Sequence, residues 1–379
     1  MNRHATDRHA AIAGKERDPA GGVCLVGAFP PPVHGVSLVN AKMREDIAQR
    51  GGVAWIIDLS PGSLLISFMP RWRRLARVVS GLALLAWLGL RGNLRTIYVG
   101  LSGSYGQVYE LAFVILARVQ RLRIFMHHHS YAYLRRRRVV TQMLVTAAGP
   151  AASHIVVCRD MERCLKALYP RVGSVFVLSN AAMLPIANAG RPRSALRKVG
   201  FLSNISYEKG INEFLQVMAR IRSERLEITG LIAGPFMSSK VEVAVLTAIR
   251  GETGVKYVGP QYGKGKEAFL SEIDTLLFPS KYEHEADPLT VHEAMRHGVP
   301  VICSNRGCLA SVVSQESGLV IQDDFAFVDT ASSHLTRWYE HPDEFAAASR
   351  TTLERALSWG AELLAAREAV VGMLLGGEN

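Results

Sequence analysis

The amino-acid sequence predicts an α/β protein built from two successive doubly wound domains that face each other across a central cleft. Three observations carry this expectation. Short apolar runs alternate with helical patterns along the chain, which implies parallel sheets with helical crossovers. The alternation breaks once, at NAAMLPIANAGRPRSALRK, residues 180–198, and then restarts. The chain has 379 residues, room for two or three domains at roughly 150 residues each.

The first domain opens with VCLVGAF, residues 23–29, a buried strand stopped by Pro30, Pro31 and Pro32. The proline-rich loop PPPVHGVS feeds SLVNAKMREDIAQRG, an amphipathic helix ended by Gly51 and Gly52. Strands follow at AWIIDL, TIYVG, RIFMHH, HIVVC and SVFVL, with a helical pattern at VYELAFVILARVQ. Beyond the break come strands KVGFLS, EITGLIAG, VKYVG, TLLFPS and VPVICS, with helices INEFLQVMARIRS, KVEVAVLTAIRGE and PLTVHEAMRHG between them. The expected organisation is a disordered polar tail over 1–22, an N-terminal domain over 23–180, a linker over 181–197 and a C-terminal domain over 198–355. A helical segment over 356–379 is expected to pack back on the N-terminal domain. Ligands of such domains bind beyond the carboxyl ends of the strands, so the cleft is the expected site.

Composition is that of an ordinary folded protein, 49% hydrophobic and 20% charged, which excludes disordered, collagen-like and coiled-coil classes. Charge is distributed unevenly. From Leu59 to Arg159 the chain holds fourteen arginines, no lysine and a single acidic residue, Glu110, for +13. The whole chain is +11, so the remainder, +11 less +13, carries −2. One basic lobe facing an anionic partner fits this asymmetry, and so does a scatter of solvated arginines. The apolar run VVSGLALLAWLGL, residues 78–90, is too short for the roughly 20 residues a bilayer crossing needs. It fits a buried helix or an interfacial one whose flanking arginines sit among lipid headgroups. Cysteines 24, 158, 164, 303 and 308 form no CxxC pair and no metal spacing, so unpaired thiols in a reducing cytosol are expected. The N-terminal stretch lacks the apolar core of a signal peptide, and a cytoplasmic protein at the inner face of the membrane is expected.

Chemistry concentrates in FPSKYEHEADPLTVHEAMRHGVPVICS, residues 278–304. Asp287 and Pro288 form a helix start, Asp as N-cap and Pro at the first helical position, and Gly298 ends the helix. The amides of Leu289 and Thr290 and the positive end of the dipole can hold a phosphate. Glu285 precedes the helix and Glu293 lies within it, seven residues between them. Two carboxylates so spaced suit an elongated ligand, since each accepts hydrogen bonds from paired hydroxyls; taken alone, the spacing equally fits one Glu paired with an Arg and the other solvated. In RIFMHHHSYAY, strand alternation sends His127 and His129 to one face and His128 to the other, a poor geometry for a three-histidine zinc site. Neither a GxGxxG fingerprint after the first strand nor a P-loop is present, which demotes nicotinamide enzymes and P-loop ATPases.

The segment from Glu285 resembles the signature of the retaining glycosyltransferases of family four, GT-B fold enzymes with two Rossmann-like domains, here of the bacterial cell-surface polysaccharide type. Glu285, Glu293, Ala294, Met295, Gly298, Pro300 and Val301 stand in the family's order. Where many members have Gly-Phe-Gly after the first Glu, this chain has Ala286, Asp287 and Pro288. A second block, VGFLSNISYEKGINEFL, residues 199–215, is similar to the family's strand-loop-helix that holds the donor diphosphate with an Arg and a Lys. Lys209 matches the Lys, while Asn204 stands where Arg is common. The loop bearing His34 and Gly35 resembles the loop that approaches the donor phosphate and the acceptor, which would let His34 touch either substrate; glycine allows such an approach.

The resemblance implies a nucleotide-sugar-dependent glycosyltransferase (hexosyltransferase type) acting with retention, in exopolysaccharide, lipopolysaccharide or capsule synthesis. It implies Glu285 on the donor sugar, Glu293 on the nucleotide ribose, Lys209 and the Leu289 and Thr290 amides on the diphosphate, and His129 or His127 at the reaction centre. Expected partners are a nucleotide-diphosphate sugar, a saccharide or lipid-linked acceptor and an anionic membrane surface, with no nucleic acid. Arg71, Arg73, Arg74 and Arg135, Arg136, Arg137 and Arg138 are candidates for the acceptor or membrane; the last four also fit a solvated helix face. No Asp-x-Asp motif is present, and neither metal nor other cofactor is expected, because helix dipole and Lys can neutralise the leaving diphosphate. Rival readings are another GT-B enzyme, such as a nucleotide-sugar 2-epimerase or a sugar-phosphate synthase, and a non-catalytic basic protein binding membrane or nucleic acid.

Overall fold

The structure, a computed structural model, describes residues 22–60, 71–103, 105–185, 190–251 and 254–377, and of residues 71 and 72 the backbone alone. Residues 1–21 of the expected tail, 186–189 of the expected linker, and 378–379 lie outside the described residues.

The N-terminal domain runs β1 (Gly22–Gly27), α1 (Gly35–Gln49), β2 (Ala54–Asp58), α2 (Arg71–Leu90), β3 (Leu94–Leu101), α3 (Gln107–Val119), β4 (Arg123–His128), α4 (Ala132–Arg135), α5 (Val139–Ala148), β5 (Ser153–Val156), α6 (Arg159–Leu168) and β6 (Ser174–Val177). Its six parallel strands lie in the order β2-β1-β3-β4-β5-β6. β1 is apolar because helices cover both its faces. Val23 and Leu25 pack with Val39, Met43 and Ile47 of α1, while Cys24 and Val26 pack with Leu85 of α2 and Phe113 of α3.

After a 3₁₀ turn at Asn180–Met183, the C-terminal domain runs β7 (Lys198–Leu202), α7 (Ile211–Ser223), β8 (Thr229–Ala233), α8 (Ser239–Ala248), β9 (Val255–Tyr257), α9 (Lys264–Glu272), β10 (Thr275–Phe278), α10 (Leu289–Arg296), β11 (Val301–Ser304), α11 (Leu309–Val312) and β12 (Gly318–Ile321). Helices α12 (Phe327–Glu340), α13 (Pro342–Ser358) and α14 (Gly360–Leu375) complete the chain. The second sheet, also parallel, has the order β12-β11-β10-β7-β8-β9. The sequence pattern did not reveal α9, which buries only Phe269 and Leu270, or β12, a four-residue strand. α14 returns to the first domain, where Val370, Val371, Met373 and Leu374 join the core around Val23 and Leu25.

Strand order reverses between β1 and β3 in one sheet and between β7 and β10 in the other. Such switch points splay the loops at the strands' carboxyl ends and open a crevice. The four loops concerned carry His34, Ser102, Lys209 and Glu285.

The apolar run at 78–90 forms the last part of α2 and is divided between two surroundings. Val78, Leu85 and Leu88 are buried, whereas Val79, Trp87 and Leu90, and Leu75 just before the run, are exposed. Among the described residues, no helix is long and apolar enough to cross a membrane.

The expectation that all five cysteines are unpaired is corrected. Cys158 and Cys308 form a disulfide that joins the two domains, with Cα atoms 6.2 Å apart and 150 residues of sequence separation. Spacing rules detect local pairs, and this one exists only because the fold brings the starts of α6 and α11 together. Cys24, Cys164 and Cys303 remain thiols; burial pushes the Cys24 thiol up to about 12.

Candidate active site

A cavity of about 800 Å³ lies between the domains, walled by the loops after β1, β3, β4, β7 and β10 and by the starts of α2, α3 and α10. On the C-terminal side, the loop after β7 turns through Gly210 at φ 85°. A Cβ there would meet the Pro279 carbonyl oxygen at 2.1 Å, so only glycine permits the turn that starts α7 and presents Lys209. Lys209 Nζ lies 2.6 Å from Glu285 Oε2 and 4.4 Å from the centre of the Tyr282 ring. Ser280 Oγ donates to the same carboxylate oxygen at 2.9 Å. Asn204, Lys209, Glu285 and Leu289 all line the cavity.

The expected cap at Asp287 is corrected. Helix α10 starts at Leu289 with Pro288 as its N-cap and no side-chain capping bond. The Asp287 carboxylate turns instead to the end of the N-terminal domain, accepting from Ser179 Oγ and the Asn180 N–H, both at 2.7 Å. Its other oxygen meets His292 Nε2 at 2.5 Å. Burial raises the Asp287 carboxyl, but His292 and these hydrogen bonds outweigh it and hold the group below its ordinary value. Leu289 is on the cavity wall, so the positive end of α10 still faces the space where a phosphate would sit. Thr290 and Glu293 are not on that wall. Glu293, one turn along α10, pairs with Lys266 of α9 at 2.5 Å and keeps its other oxygen buried without a partner.

On the N-terminal side, His34 and Gly35 line the cavity. His34 also caps α1, its Nδ1 accepting from the Ser37 N–H at 3.3 Å while Ser37 Oγ accepts from the His34 N–H at 2.9 Å. A Cβ on Gly35 would meet nothing within 4 Å, so no packing demand explains that glycine. His129 lines the cavity, and neither of its ring nitrogens has a partner. Burial and the neighbouring His34 lower it to about 3, leaving a neutral imidazole. His127 is behind it, ring centres 3.9 Å apart, with Nδ1 2.6 Å from Tyr98 Oη. His128 points the other way, to His154 and Tyr133, as alternation along β4 requires.

The arginine candidates separate. Arg74 lines the cavity, Arg73 is exposed beside it, and the Arg71 side chain lies outside the described residues. The four arginines 135–138 are not a helix face: Arg135 ends α4, Arg136 is extended and Arg138 precedes α5. Arg138 reaches Glu283 of the other domain at 3.4 Å.

Several residues on or near the cleft carried no sequence signal of their own. Lys266 lies in a helix the pattern did not reveal, and Asn180 at the last position of the expected N-terminal domain. His284 accepts or donates across the cleft to Ser130 Oγ at 3.0 Å. Glu110 was visible as the sole acidic residue of the basic stretch. Among the described residues, no three His, Cys, Asp or Glu side chains converge as a metal-ligand set.

With this geometry in hand, residues 197–337 match the family Glycosyl transferases group 1. That segment is similar in sequence to a group 1 glycosyltransferase domain. It contains Lys209, Lys266, Glu285 and Glu293. Glycogen synthase of Mycobacterium tuberculosis is 27% identical over 154 residues, 40% of this chain, and the match spans 36% of that relative's length. HepE of Anabaena, solved with UDP-glucose, superposes with a TM-score of 0.69 at 13% identity, covering 93% of this chain and 99% of its own. Sucrose-phosphate synthase of Thermosynechococcus elongatus gives the same score and coverage at 17% identity. Both sheets are therefore arranged as in GT-B proteins, with the group 1 domain as the second of the two.

Proposed function

We propose that the protein is a glycosyltransferase that moves a sugar, with retention, from a nucleotide-diphosphate sugar to a saccharide or lipid-linked saccharide in cell-surface polysaccharide synthesis. One observation carries this: Lys209, Glu285 and the start of α10 converge on the wall of one interdomain cavity that His129 also lines. Lys209 neutralises Glu285. A donor diphosphate competes for Lys209 and shares the positive end of α10, which stabilises the negative charge that grows as the sugar bond breaks. Glu285, released from Lys209 but still held by Ser280, accepts hydrogen bonds from the sugar hydroxyls. Glu293, off the cavity wall and paired with Lys266, takes the ribose where the nucleotide extends past the start of α10.

His129 is neutral, so it offers the reacting sugar either a lone pair or an N–H without adding charge. Attack by the acceptor from the face the leaving group vacates needs no protein nucleophile, consistent with retention. UDP-glucose is the first donor to test, since HepE was solved with it. A thermal-shift series with UDP, GDP and ADP sugars, followed by product analysis with and without acceptor, tests the assignment. Stabilisation by one donor and loss of hydrolysis in E285Q are expected; an unchanged rate in E285Q overturns it.

The exposed apolar face of α2, with Leu75, Val79, Trp87 and Leu90 and the basic Arg73 and Arg91, supports association with an anionic membrane.

A further inference from the structure

The N-terminal wall of the cavity holds polar atoms that no role above uses. Glu110 sits in the first turn of α3 and is 3% exposed. Its Oε1 accepts from the Ser102 N–H at 2.9 Å, but its Oε2 and the Ser102 Oγ are both buried without a partner. Both residues line the cavity, together with Arg74, Arg77 and Tyr109. The Arg74 guanidinium rests 5.0 Å from the centre of the Tyr109 ring. At Gly106 a Cβ would come 2.4 Å from Ser102 Oγ and 3.7 Å from an Arg74 nitrogen, so a side chain there would crowd this corner.

The buried Asp287 carboxylate is matched on both oxygens, by Ser179, Asn180 and His292. Glu110 is not. Burial pushes its carboxyl up to about 7, against the pull of Ser102 and Arg74, and Tyr133 of α4 faces it as the other titratable neighbour. Leaving such an oxygen unpaired costs stability, and a ligand hydroxyl removes that cost. The cations beside it are suited to a phosphate.

We propose that Ser102, Glu110, Arg74 and Arg77 form the subsite for the second substrate, a hydroxylated sugar that carries a phosphate. Glu110 Oε2 and Ser102 Oγ bond its hydroxyls, and the two arginines hold its phosphate. The assignment rests on the transferase function above and names the chemistry of its acceptor.

Saturation-transfer NMR with glucose 1-phosphate, in the presence of saturating UDP so that the nucleotide site is filled, tests it. Wild-type protein binds this probe, while methyl glucoside, lacking the phosphate, binds more weakly. E110Q, S102A and R74A each weaken it by roughly tenfold while UDP affinity and melting temperature stay near wild type. Farnesyl phosphoryl glucose in the same titration separates a lipid-linked source, which binds more tightly, from a soluble one, which does not; either phosphorylated probe supports the subsite. No wild-type binding of either, or equal binding by E110Q and S102A, overturns it. Failure of UDP itself to bind would instead overturn the transferase function.

Discussion

Lys209 Nζ lies 2.6 Å from Glu285 Oε2 across 76 residues of chain, so two side chains from separate loops of the cavity wall neutralise each other. The Lys is about one-fifth exposed and the Glu about one-tenth, which shields the pair from solvent and makes each partner dependent on the other.

Breaking the pair from one side should therefore cost more than removing it whole. K209M leaves a nearly buried carboxylate held only by Ser280 and is expected to lose about 3 kcal/mol, whereas K209M/E285Q should recover much of that. Denaturant melts of the four proteins measure the difference. K209M and E285Q should also each lose hydrolysis of the proposed nucleotide-sugar donor, by about a hundredfold or more for K209M.

The histidine cluster predicts loss of stability on mild acidification. His129 and His154 are lowered by burial to about 3 and about 4, so between those values and the ordinary 6.5 the unfolded chain binds protons that the folded chain refuses. Stability must then fall as pH drops from about 6.5, by about 2 kcal/mol per histidine at pH 5. Melting temperature against pH should show this slope, and H154Q should flatten it.

Asp287 acts at lower pH and with the opposite origin. Its folded carboxyl is held below the ordinary 3.8 by His292, Ser179 and Asn180 despite burial, so its contribution is complete above about pH 4 and is lost as pH falls through the folded value. D287A should destabilise by about 3 kcal/mol at neutral pH, because three partners lose their acceptor, and D287N should remove the acid-limb dependence.

The interdomain disulfide is expected to show in thiol counting. Denatured protein purified without reductant should titrate with the thiols of Cys24, Cys164 and Cys303 alone, and with all five cysteines after reduction. C308S should lower stability by about 5 kcal/mol on the loop-closure account, given the 150-residue separation. Five reactive thiols before reduction would count against the bond.

Association with phosphatidylserine vesicles should weaken with salt, and in the variant carrying R73A and R91A. L90S and V79S should weaken it without changing the salt dependence, since they remove apolar area alone. Co-sedimentation that ignores salt and all four substitutions would refute membrane docking through α2.

The sequence alone determined the two-domain α/β plan, because parallel strands covered on both faces must be apolar throughout and helices between them must be amphipathic. Local order also nominated Lys209, Glu285 and His129, since their chemistry sits in loops whose ends the pattern marks. What the linear pattern lacked was everything that depends on two distant segments meeting. Asp287 reads as a helix cap until Ser179 and Asn180 arrive from the other domain and offer its carboxylate better donors. Cys158 and Cys308 read as unrelated thiols until α6 and α11 start side by side. Glu110 reads as an isolated acid in a basic stretch until folding buries it beside Ser102 with one oxygen unmatched. Periodicity reports which face of an element is covered; only the tertiary structure decides which groups do the covering, because hydrogen bonds and ion pairs act over a few ångströms of space irrespective of their separation along the chain.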